Sequence, residues 1–232
     1  MKKLIITVLT SIMLTSTVAF AGSIQMGAKL SHAFLEATGT ETTTAGTVTG
    51  GAANTNTTTV DNDVTLPSLY AEYSFDSGMW GQEGNELTIG GIYTFGTADV
   101  SDKISSRSET AEDDAGSGSS GSVTYSANAE VENYVNYYVD VPIVGNVFIK
   151  LGLSQLDVIS KEDADHEGSY GDTSLDGMNY GVGLKGLSGN YAWKIAYEAT
   201  NWDDLSLTST TSNTITADLD MDELSLMVGY RF

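Results

Sequence analysis

From Ser23 onward apolar and polar residues alternate with a period of two, the spacing of strands that show one face to oil and the other to polar groups. The first run places Ile24, Met26, Ala28, Leu30, His32 and Phe34 on one face and Ser23, Gln25, Gly27, Lys29 and Ser31 on the other. The second sets Leu69, Ala71, Tyr73 and Phe75 against Ser68, Tyr70, Glu72 and Ser74, and the third sets Leu87, Ile89, Gly91, Tyr93 and Phe95 against Thr88, Gly90, Ile92 and Thr94. The fourth is the longest: Val123, Tyr125, Ala127, Ala129, Val131, Val135, Tyr137, Val139 and Val141 read as one face, opposite Thr124, Ser126, Asn128, Glu130, Glu132 and Asn136. Similar runs over 147–154, 178–185 and 191–199 make strands five to seven. The eighth closes the chain with Leu224, Leu226, Val228, Tyr230 and Phe232 on its apolar face.

The connections fall into two alternating sets. Short turns follow strands two, four and six, at 76–85, 142–146 and 187–190, whereas long polar stretches follow the others, at about 36–65, 99–122, 157–176 and 203–217. An even number of strands with this asymmetry predicts an all-β, antiparallel, up-and-down transmembrane β-barrel of eight strands, its long loops outside the cell and its short turns in the periplasm. In lipid every backbone N–H and C=O needs a partner, and a closed sheet supplies them without an edge, so the apolar faces turn outward. A soluble eight-stranded barrel would fold its apolar face inward around a ligand and has no need of the asymmetry. Aromatic residues then mark interfacial girdles, with Tyr73, Phe75, Tyr137, Tyr191, Trp193, Tyr230 and Phe232 at the periplasmic rim and Phe34, Tyr93, Phe95 and Tyr125 at the outer one.

At the amino end, Lys2 and Lys3 precede an apolar run that closes on Ala19-Phe20-Ala21, the pattern of an export signal over residues 1–21. The barrel is expected to occupy 22–232, in a bacterial outer membrane. The chain carries 31 acidic and 10 basic residues, a formal charge of -21, which argues against nucleic acid as a partner. It has no cysteine, which excludes disulfides, thiolate metal sites and a Cys nucleophile.

Five basic residues fall on inward positions: Lys29, Lys150, Lys185, Lys194 and Arg231. Glu72, Glu130, Glu132, Asp140 and Glu198 are the acids expected to meet them. An eight-stranded barrel is just wide enough for its side chains to fill, so these ten charges predict a hydrogen-bonded plug and a closed lumen. The alternative is a narrow porin-like channel for small solutes or ions. The remaining negative charge lies in the loops, which form an acidic, hydrated outer rim that would meet lipopolysaccharide through divalent cations and favour cationic partners.

No catalytic constellation emerges. His32 sits on the lipid-facing phase while Ser23 and Ser31 point the other way, which leaves a lipid-modifying hydrolase without a nucleophile–base pair. Asp163, Asp165 and Glu167 before Gly168 have the spacing that opens a calcium loop, but Ser174 stands where a bidentate Glu is needed, so no metal site or cofactor is expected.

The export signal, the eight alternating runs, the loop alternation and the final Tyr230-Arg231-Phe232 resemble the small outer-membrane barrels related to the OmpA transmembrane domain, OmpX and OmpW. The resemblance is architectural and spans the chain after residue 21. It implies a role in envelope anchoring, adhesion or surface interaction, with outer-membrane lipid, lipopolysaccharide and an unknown extracellular ligand as partners. It also implies that Leu224, Leu226, Val228, Tyr230 and Phe232 are read by the barrel-insertion machinery. A peptidoglycan-binding domain of the kind that follows the barrel in full-length OmpA proteins is not expected after it.

Overall fold

The computed structural model describes residues 22–43, 54–78, 85–100, 105–111, 121–163, 170–209 and 213–232; the expected signal sequence lies outside them. Among the described residues eleven strands follow one another: β1 (Gly22–Thr43), β2 (Asn54–Asp76), β3 (Glu86–Thr94), β4 (Thr97–Asp99), β5 (Ser105–Ala111), β6 (Gly121–Val144), β7 (Val147–Asp163), β8 (Thr173–Ser188), β9 (Tyr191–Trp202), β10 (Leu205–Thr208) and β11 (Thr214–Arg231). All pairings are antiparallel. The order β1-β2-β3-β6-β7-β8-β9-β11 closes on itself through β1–β11, from Gln25↔Arg231 to Thr42↔Thr214, and makes an eight-membered ring. β4 and β5 prolong the line of β3 along β6, and β10 prolongs β9 along β11. Two of the short connections are two-residue turns in which Gly145 and Gly189 take φ of 56° and 61°, a left-handed backbone that glycine adopts without steric cost.

The outward face carries an apolar band. Ile24, Leu30 and Phe34 on β1 are 53%, 55% and 44% exposed, and Leu224, Leu226 and Val228 stand beside them on β11. Ten residue steps from Ile24 to Phe34, along strands tilted by about 40°, give a band about 26 Å tall, the thickness an outer-membrane barrel presents to lipid.

Above this band the wall continues, and the polarity of its two faces is exchanged. On β1, Ala33, Leu35 and Ala37 point inward and are buried, while Glu36 faces out. On β11, Leu219 and Met221 point in and Asp218, Asp220 and Asp222 point out; β7 does the same with Leu156 and Val158. These residues join Val100, Tyr134, Leu175 and Trp202 in one apolar core. The physical cause is a change of solvent. Lipid surrounds the lower wall, so oil lies outside; water surrounds the upper wall, and the hydrophobic effect turns oil inward. The ring is also seamed here into two sheets facing each other, β10-β11-β1-β2 and β4/β5-β6-β7-β8.

Three expectations change. The stretches expected as long loops are largely paired strand: β1 and β2 stay in register up to Thr43↔Asn54, β5 and β6 up to Ala111↔Gly121, and β6 and β7 up to Ser126↔Asp163. The fourth run does not keep one face, because an extra residue enters β6 between Glu132 and Val135 and Asn133 takes φ 53°, so Ala129 and Val131 turn inward whereas Val135 and Tyr137 do not. Tyr137, opposite Gly91 and Leu153, therefore stands near the outer rim of the band, and Tyr125 pairs far above it with Arg107.

Candidate functional site

The interior of the lower wall is ionic. Inward positions of β1, β2, β6, β7, β9 and β11 bring together Lys29, Glu72, Asp140, Lys150, Lys194, Glu198 and Glu223, all buried. Lys150 Nζ donates to Glu198 Oε1 at 2.9 Å, and Ser225 Oγ donates to the same oxygen at 3.0 Å. Lys29 Nζ donates to Glu223 Oε1 at 3.1 Å and stands 3.8 Å from Glu198 Oε2. Lys194 bridges two acids, donating to Asp140 Oδ2 at 2.6 Å and to Glu72. Tyr138 donates its hydroxyl to Glu72, and the Lys150 ammonium lies 4.2 Å from the centroid of its ring.

Sequence makes room for these groups. Tyr138 lies over Gly90 on the adjacent strand and reaches Glu72 on the next, and a Cβ at Gly90 would come within 2.6 Å of the phenol. Phe148 lies against Gly183, where a Cβ would meet its ring at 2.4 Å. Large inward side chains thus lie over bare positions directly paired with them on the adjacent strand, and the cross-section fills.

Of the ten charges expected in the lumen, six meet here: Lys29, Glu72, Asp140, Lys150, Lys194 and Glu198. Lys185 and Arg231 lie toward the turn end, where Lys185 donates to the Glu86 carbonyl at 3.0 Å and Arg231 pairs with the Glu86 carboxylate. Glu130 and Glu132 lie elsewhere. The bulge at Asn133 turns them away from the lumen, so Glu130 pairs with Lys161 at the surface and Glu132 accepts from Asn133 Nδ2 at 3.2 Å. Glu223 and Tyr138 share parity with residues already read as inward, so alternation alone would have found them. Tyr134, which donates to Glu223 Oε2 at 3.4 Å, shares the parity of Asn136 and Tyr138, so alternation points it inward as well.

On the outside, just above the band, cross-strand register sets Asp61, Glu36 and Asp220 side by side in one row, and Asp63, Phe34 and Asp222 in the next. They line a shallow hollow of the wall. His32 faces outward with its ring edge-on to Phe34 at 4.7 Å. Residues 164–169, which hold most of the calcium-like sequence, lie outside the described residues. Leu224, Leu226, Val228, Tyr230 and Phe232 are all exposed on the outer face of β11 and its end.

A closed antiparallel ring of eight strands, apolar outside and ionic within, defines a transmembrane β-barrel of the bacterial outer-membrane class. No protein-family model matches the chain, and no curated protein is significantly similar to it. Among solved structures it is similar to Ail, the attachment invasion locus protein of Yersinia pestis, at 14% identity and a TM-score of 0.37, covering 91% of this chain and 97% of that one. It is also similar to the outer membrane protease OmpT from Escherichia coli, at 11% identity and a TM-score of 0.43 over 90% of this chain and 97% of that one. A third is Neisserial surface protein A, at 9% identity and a TM-score of 0.31 over 87% and 97%.

Proposed function

We propose that this chain is a non-catalytic outer-membrane barrel with a closed lumen, which carries its long acidic hairpins on the outside of the cell for envelope structure or surface interaction. The observation that supports this reading is the filled interior. The lower cross-section is occupied by three ammonium and four carboxylate groups in mutual contact, and the upper one by an apolar core around Leu35, Tyr134, Leu156 and Met221. A solute following a narrow porin-like path would have to break buried ion pairs and then cross a dry layer, and each step is costly. Lipopolysaccharide and an extracellular ligand are the partners such a wall would meet, and the outward strand ending in Phe232 is the segment offered to the insertion machinery.

Conductance of the purified barrel in a planar bilayer tests the reading. Rare, small openings are expected, and Lys150→Met, which strips Glu198 of a cation in the lower layer, should make them more frequent. A stable open current from the unaltered protein would refute closure.

A further inference from the structure

The hollow in the outer wall, about 600 Å³ in volume, joins two kinds of surface. Its lower row runs Asp63, Phe34, Asp222, Ala199 and Tyr180 across β2, β1, β11, β9 and β8, and its upper row runs Asp61, Glu36, Asp220 and Asn201. One row further down stand His32, Leu224 and Tyr197, at the top of the lipid-facing band. The floor of the hollow is therefore continuous with lipid, and its roof is anionic.

Five carboxylates meet here, and among the described residues none of them pairs with an ammonium or guanidinium group. Asp61 and Glu36 are directly paired positions, as are Glu36 and Asp220, and like charges so placed are destabilising. A cation relieves that repulsion, and the layout selects its kind. A single metal ion fits poorly, because among the described residues no three acidic or imidazole groups come close enough to hold one. A hydrophilic polyamine would neutralise the roof but leave Phe34 and Tyr180, 44% and 48% exposed, uncovered. An amphipathic occupant answers both halves. Asp61, Glu36 and Asp220 lie on adjacent strands about 5 Å apart, close to the spacing of helix side chains three or four residues apart.

We propose that this hollow docks a cationic amphipathic helix of a partner peptide lying at the membrane surface, its lysines over Asp61, Glu36 and Asp220 and its apolar face on Phe34, Tyr180 and the lipid beside them. Such helices bury an apolar face at the headgroup boundary, and the wall supplies carboxylates next to that boundary. Charge complementarity speeds the encounter and makes it salt-dependent, while the shared apolar floor holds the peptide in place. This inference rests on the surface-interaction reading above and gives it a partner chemistry.

The test uses the full chain in zwitterionic nanodiscs and a fluorescent peptide of about five helical turns, with leucines on one face and lysines on the other. Empty nanodiscs give the binding due to lipid alone. By anisotropy the peptide should bind discs that hold the barrel at least about fivefold more tightly than empty ones, the scale of a few exposed ion pairs. The double variant Asp61→Asn/Asp220→Asn, checked for folding by heat-dependent gel mobility, should remove most of that gain. Glu130→Gln/Glu132→Gln, on β6 across the ring, should leave it unchanged. Because the chain has no cysteine, a nitroxide can be attached at one chosen position. At Thr65→Cys, two residues from Asp63, it should quench the peptide more strongly than at Leu151→Cys, across the ring. A scrambled peptide of the same composition that binds as well would reduce the effect to charge alone and overturn the proposal. So would binding no better than to empty discs, or equal losses from the two double variants. Displacement by magnesium but not potassium at matched ionic strength would make the hollow a metal site and overturn it too. A barrel that is silent in the bilayer but binds no peptide loses this inference alone, whereas a conducting barrel that binds it loses only the closed-lumen reading.

Discussion

Replacing Glu198 by Gln keeps the shape of the side chain and removes one charge from the middle of the lumen. Lys150 then loses the carboxylate it holds at 2.9 Å, and Lys29 loses its second acid at 3.8 Å while keeping Glu223. At an effective dielectric of about 20, the Lys150–Glu198 attraction at that distance is worth about 6 kcal/mol. Part of this is returned, because a carboxylate no longer has to be dehydrated and the Gln carbonyl still accepts a hydrogen bond. What remains is an ammonium buried without its counter-ion, and breaking such a pair from one side costs about 3–5 kcal/mol. Urea unfolding in lipid vesicles, followed by tryptophan fluorescence, should therefore show a loss of about 3 kcal/mol or more. The double variant Lys150→Met/Glu198→Met removes both charges and should recover most of that loss, to within about 1 kcal/mol of the unaltered barrel. A loss below about 1 kcal/mol in the single variant, or a double variant as unstable as the sum of its parts, would refute the claim that these groups sit paired in a dry interior.

Outward charge should be tolerated only above the band. Leu226→Arg is expected to cost about 2–4 kcal/mol in the same unfolding assay, whereas Asp220→Lys, in the row shared with Glu36 and Asp61, should cost nothing or stabilise. Leu156→Ala, at 1% exposure in the upper core, should cost about 2–5 kcal/mol and leave insertion into lipid intact, as read by heat-dependent gel mobility. On the exposed hairpin of β10 and β11, the hydrogen-bonded carboxyl of Asp204, together with its charge, holds Asp218 above the usual carboxylate range. A raised folded-state value means that repulsion is present at neutral pH and relieved as pH falls, so amide protection in this hairpin, taken relative to the intrinsic exchange rate at each pH, should rise from pH 7 toward pH 4, and Asp204→Asn should abolish that rise. At Asn133, whose φ of 53° disfavours branched side chains, Asn133→Gly should be nearly neutral and Asn133→Val should cost about 1–2 kcal/mol in urea.

The lower barrel was legible because lipid imposes a single rule on every strand. Once Ile24, Leu69, Ile89 and Leu226 are read as facing oil, the inward aim of Lys29, Glu72, Lys194 and Glu198 follows from parity without further information. The upper wall was misread for the same reason. A run such as Glu36 to Thr65 looks like a polar loop when strands are recognised by an apolar outer face, yet its oil sits on the other parity, at Ala37, Val60 and Val64. The register of β1 with β2 shows one continuous hairpin passing from one solvent to another, with the hydrophobic parity changing where the solvent does.

β6 isolates the physics of that change. In β1, β7 and β11 composition makes the switch, with apolar residues moving from one parity to the other above the band. In β6 they remain on odd numbers throughout, from Ala129 and Val131 to Val135 and Val139, so a regular strand would carry Val131 out into water at a height where every neighbour turns its oil inward. The extra residue at Asn133 rotates the chain instead. Asn is among the few side chains that accept the left-handed backbone this requires. It is also held there, since Tyr93 OH donates to Asn133 Oδ1 at 3.3 Å and Asn133 Nδ2 donates to Asp157 Oδ2 at 3.1 Å. A single inserted residue thus does in one strand what a change of alphabet does in the others, and it takes Glu130 and Glu132 out of the lumen by the same rotation that brings Ala129 and Val131 in.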